Sequence, residues 1–172
     1  WSIGCGRWGG IPIRLSLFFF FFTPILIVRL GWETGLVYVS VLLVATLLHE
    51  LAHAWTAECL GGSAQEILLW PLGGLAKLQW PRSLSGKLIT ILAGPVTNLL
   101  LCAMLLPVAW SQANWTEWLN PMVLPPMEWT RASWRGDLIR IVFAVNWMLT
   151  IVNLLATMPL NGGQALRGWW SR

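Results

Sequence analysis

The sequence predicts an all-α membrane protein with about four transmembrane helices and a short β-hairpin or re-entrant segment after the second helix. Three observations predict it. Of 172 residues, 56% are hydrophobic and only 10% are charged, which is too apolar for a soluble domain of this size. Four apolar runs approach or exceed the roughly 20 residues that cross a hydrocarbon core as a helix. Between the second and third runs, Pro and Gly break the chain into pieces too short to cross as helices.

The first run is Leu15 to Leu30, preceded by Arg7 and Arg14 and containing the Phe18 to Phe22 block and Thr23-Pro24. It has no small-residue cleavage site, and Arg29 to Glu33 leads straight into more apolar sequence, so it reads as an uncleaved span and not a signal peptide. The second span, about Leu36 to Leu60, carries both histidines and ends at the helix stop Gly61-Gly62. Ser63 to Ser85 contains Ile67 to Trp70, then Pro71-Leu72-Gly73-Gly74, then Leu75 to Trp80, the pattern of a hairpin or a re-entrant loop. The third span covers about Lys87 to Trp110, with Gly94-Pro95 inside it and Asn98 one turn on. A polar, Trp- and Pro-rich loop from Ser111 to Asp137 follows. The fourth span, about Leu138 to Leu160, carries Asn146 and Asn153 and closes at Asn161-Gly162-Gly163.

These runs form one membrane domain over residues 1–172. The chain begins at Trp1 and stops just after a motif, so truncation at one or both ends stays open. A net charge of +4 does not point to nucleic acid, because the eleven Lys and Arg are scattered singly and form no stripe with interleaved aromatics. They read as topogenic charges. The fourteen Trp suit the headgroup layers, with some packing between helices, and Cys5, Cys59 and Cys102 fit neither a CxxC pair nor a disulfide framework. With four spans, Arg7, Arg14, Lys77, Arg82, Lys87, Arg167 and Arg172 fall on one side, and Arg29, Arg131, Arg135 and Arg140 on the other. The positive-inside rule then puts both termini in the cytoplasm and brings His49 to His53 and Asn161 into the cytoplasmic half.

His49-Glu50-Leu51-Ala52-His53 is an HExxH pattern. On a helix, positions i and i+4 put both imidazoles on one face, where two nitrogens can hold one Zn²⁺. Glu50 can then serve as general base toward an attacking water. The competing reading is a pair of polar residues satisfied between helices. Composition alone yields HExxH in roughly one such chain in a thousand, and ionisable residues inside an apolar span are functional by default. A hydrolytic zinc site also needs a third protein ligand and an open position, and the chain has no third histidine.

HELAH in an early span, Gly61-Gly62 followed by Pro71-Leu72-Gly73-Gly74, Ala93-Gly94-Pro95 with Asn98, and Asn153 eight residues before Asn161-Gly162 together resemble the site-2 protease family of intramembrane zinc metalloproteases, in its compact form without a PDZ domain. The resemblance runs from about Gly9 to Arg172. It implies a zinc endopeptidase that cuts transmembrane protein substrates in a bilayer, a multi-pass protein of a bacterial cell membrane, with the metal held by His49, His53 and the residue at position 161. The family has Asp at that place. Here it is Asn161, and Ala156 stands where Pro is common. An amide oxygen is a neutral, weaker ligand than a carboxylate. Asn161 therefore marks an engineered change, a natural variant that still ligates, a natural pseudoprotease that binds membrane partners without cutting them, or a residue that deamidates to Asp. Asp137 and Glu58 are badly placed to substitute.

The resemblance also implies an active-site role for Asn153, hydrogen-bonding a substrate carbonyl or oxyanion, against the alternative of an Asn gluing helices together. Asn98 and Asn146 read as structural. The hairpin offers an edge for β-augmentation by unwound substrate, or else a flap or interfacial anchor. Gly73-Gly74 and Gly94-Pro95 permit close backbone approach and helix distortion respectively. A metal transporter fits less well, because the polar residues cluster in one half instead of tracking across.

Overall fold

The computed structural model describes residues 2–71, 73–111, 115–120, 129–130 and 133–155. Strands β1 (Ser2–Trp8) and β2 (Ile11–Ser16) come first, then helices α1 (Phe18–Leu30) and α2 (Trp32–Cys59), strands β3 (Ser63–Trp70) and β4 (Gly73–Gln79), and helices α3 (Leu84–Trp110) and α4 (Trp134–Leu154). A short 3₁₀ turn, Trp115–Leu119, lies between α3 and α4.

The four strands form one sheet in the order β1-β2-β3-β4. β1 and β2 are antiparallel around Gly9 and Gly10, whose φ of 55° and 89° make the two-residue turn that suits strand twist. β2 pairs parallel with β3, matching Ile13 to Ile67 and Leu15 to Leu69. Parallel neighbours need a crossover, and here the crossover is the α1–α2 pair. It returns the chain to the end of the bundle where it began, so the amino-terminal hairpin and the β3–β4 hairpin share that end.

α2 owes its orientation to one buried stripe: Tyr38, Leu42, Ala45, Thr46, His49, Glu50, His53, Ala54 and Ala57 recur at three- and four-residue steps. The helix ends in a Schellman cap. Gly61, at φ 82°, donates its N–H to Glu58 O, and Gly62 donates to Ala57 O at 2.8 Å. α3 starts at Ser83, whose hydroxyl accepts the Gly86 N–H at 3.0 Å. The core joins Leu42 and Ala45 of α2, Ile67 and Leu69 of β3, and Ile141, Val145 and Leu149 of α4. Outward, Val28 (84% exposed), Trp55 (72%) and Met104 (75%) present apolar surface. Polar groups inside and apolar groups outside are the arrangement of a protein solvated by lipid, and α2, α3 and α4 are long and apolar enough to span.

The structure corrects the all-α expectation. The sheet has four strands, and its first hairpin falls where sequence reading saw only the flank of a span. The segment expected as a first span, Leu15 to Leu30, divides: Leu15 and Ser16 finish β2, and α1 has 13 residues. At about 1.5 Å per residue that is roughly 20 Å, short of a hydrocarbon core of about 30 Å. The segment after α2 is a hairpin and not a re-entrant loop. The expected fourth span also ends early, because α4 stops at Leu154 with Leu155 extended (φ −61°, ψ 138°). Asn161 and Ala156 lie outside the described residues.

Candidate metal centre

His49 and His53 lie one turn apart on the buried stripe of α2, with ring centroids 4.7 Å apart and planes at 79°. Potential ligand atoms of His49, Glu50 and His53 all fall within 4.8 Å of one another. All three residues are buried, at 0%, 2% and 4% exposure. Uncompensated polar groups there would cost several kcal/mol, on the order of the penalty for any unsatisfied group in lipid.

α3 forms the opposite wall. The Thr90 carbonyl accepts a hydrogen bond from His53 Nδ1 at 2.6 Å. A carbonyl can only accept, so Nδ1 carries the proton and Nε2 keeps its lone pair. One turn along, a Cβ on Gly94 would collide with Nε2 of both His53 and His49. Both Nε2 atoms therefore converge on the surface that a glycine keeps open. Two imidazole nitrogens on one helix face, one with its tautomer fixed by a carbonyl, suit a divalent ion of the zinc type. The residues present fit such an ion.

The sheet forms a third wall. A Cβ on Gly74 would overlap the Glu50 side chain, and the Glu50 carboxyl lies against the backbone at Gly74 and Ala76 of β4. Its Oε1 has no hydrogen bond of regular geometry among the described residues. A cavity of ≈30 Å³ opens there, lined by Glu50, His53, Gly74, Ala76, Trp80 and Ile91. A water molecule needs roughly 10–15 Å³ on this measure. The arrangement can hold a cation on one side of Glu50 and a water or peptide group on the other.

The structure thus brings His49, Glu50 and His53 together. Asn153 is buried on α4 at 2% exposure, and its Nδ2 donates back to Leu149 O at 2.8 Å. Asn161 lies outside the described residues. The close approach expected at Gly73-Gly74 is seen at Gly74, which meets the base, whereas Gly94, expected only to distort its helix with Pro95, also makes a close approach, to both imidazoles. Sequence reading had missed Thr90, whose signal was its place four residues before Gly94.

A family model described as Peptidase family M50 matches residues 37–117. The chain is 28% identical over 169 residues to zinc metalloprotease MJ0392 of Methanocaldococcus jannaschii, covering 95% of this chain and 44% of that one. It is 32% identical over 143 residues to putative zinc metalloprotease Rip3 of Mycobacterium tuberculosis, covering 82% of this chain and 33% of the relative. The chain thus spans less than half the length of these curated relatives. In structure it matches a site-2 protease from Methanocaldococcus jannaschii with a TM-score of 0.77 at 27% identity, over 99% of this chain and 72% of that one.

Proposed function

Because this chain belongs to the site-2 protease family, peptidase family M50, we propose that it is an intramembrane zinc endopeptidase acting on transmembrane protein substrates. The observation that carries this reading is the convergence of both Nε2 atoms on Gly94, with Glu50 held beside them against β4. His49, His53 and Asn161 would hold the metal. When bound, Zn²⁺ supplies Lewis acidity toward the peptide carbonyl and the attacking water. Glu50 accepts the water proton as the C–O bond forms, then donates it to the amine as the C–N bond breaks. Asn153 steadies the carbonyl oxygen.

A helical substrate hides its peptide groups, so it must unwind before hydrolysis. β4 is an edge strand of the sheet and lines the cavity with Glu50 and His53. An unwound segment pairing with β4 would therefore lie beside the base. The basic residues of the hairpin end support a site in the cytoplasmic half of a multi-pass protein, and the reading takes the membrane to be a bacterial cell membrane.

Asn161 favours a second reading, a pseudoprotease that engages membrane proteins without cutting them. The deciding experiment measures zinc content and cleavage of a model transmembrane substrate in nanodiscs, for the chain as it is and for Asn161→Asp. Cleavage by both supports a working enzyme with an amide ligand. Cleavage only by Asn161→Asp supports the pseudoprotease. Failure of both to retain zinc sinks the metalloprotease reading.

A further inference from the structure

We propose that Asn98 is a positioning residue of this centre: its side-chain oxygen accepts the Nδ1 proton of His49 and so aims the Nε2 lone pair of that ring at the metal. The inference rests on the metalloprotease reading and goes beyond it, because it gives a task to a residue that the reaction does not touch.

The argument begins with the register between α2 and α3. Thr90 meets His53, Gly94 meets both imidazoles, and Asn98 lies within hydrogen-bonding reach of His49. The two helices therefore run antiparallel, and the two turns of α3 from Thr90 to Asn98 bracket the single turn of α2 from His49 to His53. Thr90 and Asn98 stand one turn to either side of Gly94, on which the two imidazoles converge from α2. An imidazole that binds a metal through Nε2 needs an acceptor for the proton on Nδ1, or the tautomer and ring angle are unfixed. His53 uses the Thr90 carbonyl. At the His49 end, the neighbouring group on α3 is the Asn98 amide.

Asn98 is 0% exposed, and neither amide atom makes a hydrogen bond of regular geometry among the described residues. An amide whose task was to join helices would be expected to show such a bond to another helix. An amide turns its oxygen or its nitrogen toward a neighbour by a half rotation, so Oδ1 can face His49 without moving the backbone. Leaving this group without a partner in lipid would be costly. Pairing Oδ1 with the His49 N–H gives the amide oxygen a partner.

The chain has two histidines, so ¹⁵N labelling of histidine yields two resolvable imidazoles. The experiment records ring ¹⁵N spectra of the chain in nanodiscs, metal-free and with zinc, together with zinc affinity by chelator competition, for the wild type, Asn98→Leu and Asn98→Asp. Asn98→Leu is expected to lose the Nδ1-protonated preference of His49, leave His53 as it was, and weaken zinc binding about 10–100-fold. Asn98→Asp keeps the acceptor and is expected to keep the tautomer. Its shorter, charge-assisted bond should move the His49 Nδ1 proton downfield while His53 stays in place. Should Asn98→Leu fail to fold, that shift decides alone, and an unmoved His49 proton overturns the proposal. An Asn98→Leu spectrum unchanged at His49, or changed equally at both rings, overturns it as well. A wild-type chain that takes up no zinc defeats the protease reading instead, while the metal-free spectra still decide the role of Asn98.

Discussion

In the hairpin β1–β2, a methyl group added at Gly4, Gly6, Gly9 or Gly10 would meet nothing within 4 Å. In the hairpin β3–β4 of the same sheet, the same methyl at Gly74 would run into the Glu50 side chain. The first hairpin is the outer edge of the domain, where glycine serves a turn. The second is pressed onto α2, where glycine makes room for a reacting group. Residue type is shared and cause is not, and the cause is set by what the opposite helix carries.

The largest expected effect fixes the scale for this comparison. Glu50→Gln keeps the shape of the side chain and removes its basicity, so cleavage should fall by about 10²–10⁴ while zinc content stays level. Zinc lost together with activity would mean that Glu50 holds the metal instead of moving protons. In Gly94→Ala, the new methyl would displace both Nε2 atoms at once. Zinc affinity by chelator competition should drop about 10–100-fold. Retained affinity would show that the metal lies elsewhere than at the face of Gly94.

Gly74→Ala is the sharpest contrast between the hairpins. The atoms in its way are those of the flexible Glu50 side chain, so the fold can yield by moving the base. Activity should decline by about tenfold or more with zinc affinity unchanged. Gly4→Ala, with open space around it, should leave both readings at the wild-type level. Equal effects of the two substitutions would erase the distinction between the hairpins.

How much of this was legible in the sequence follows the same division. HELAH is a local pattern, and one helical turn suffices to put both imidazoles on one face, so the heart of the site could be read directly. Gly61-Gly62 also reported its cap faithfully. The β1–β2 hairpin was not read, although Gly9-Gly10 is a turn signal, because its strands mix Gly, Arg and Trp and lack the alternation that marks a half-buried strand. The boundary between β2 and α1 vanished inside one apolar run, where hydropathy alone does not tell strand from helix. Thr90 and Asn98 took on meaning only once the antiparallel register of α2 and α3 was in view. Such a register is a long-range property that no window along the chain contains.

The smallest expected effect tests the joint between the two hairpins. Glu66 of β3 takes the Lys77 ammonium of β4 at 2.9 Å and the Arg14 guanidinium of β2 at 3.4 Å. Lys77 first, and Arg14 after it, hold the Glu66 carboxyl below the usual carboxylate range. A depressed folded-state pKa means that the bridge stabilises the fold above the unfolded pKa of about 4.3 and is lost as pH falls through the lower folded value. Both cations are substantially solvent-exposed, so the contribution should be about 0.2–1 kcal/mol and should shrink with added salt. Thermal unfolding of wild type and Glu66→Gln in nanodiscs should differ by that small amount at neutral pH. The two curves should converge in acid once pH has fallen below the lowered folded-state value, where the wild-type carboxyl is protonated as well. A gap that persisted in acid would assign the effect to packing of the side chain, and the charges would then have no part in joining β2 to β4 across β3.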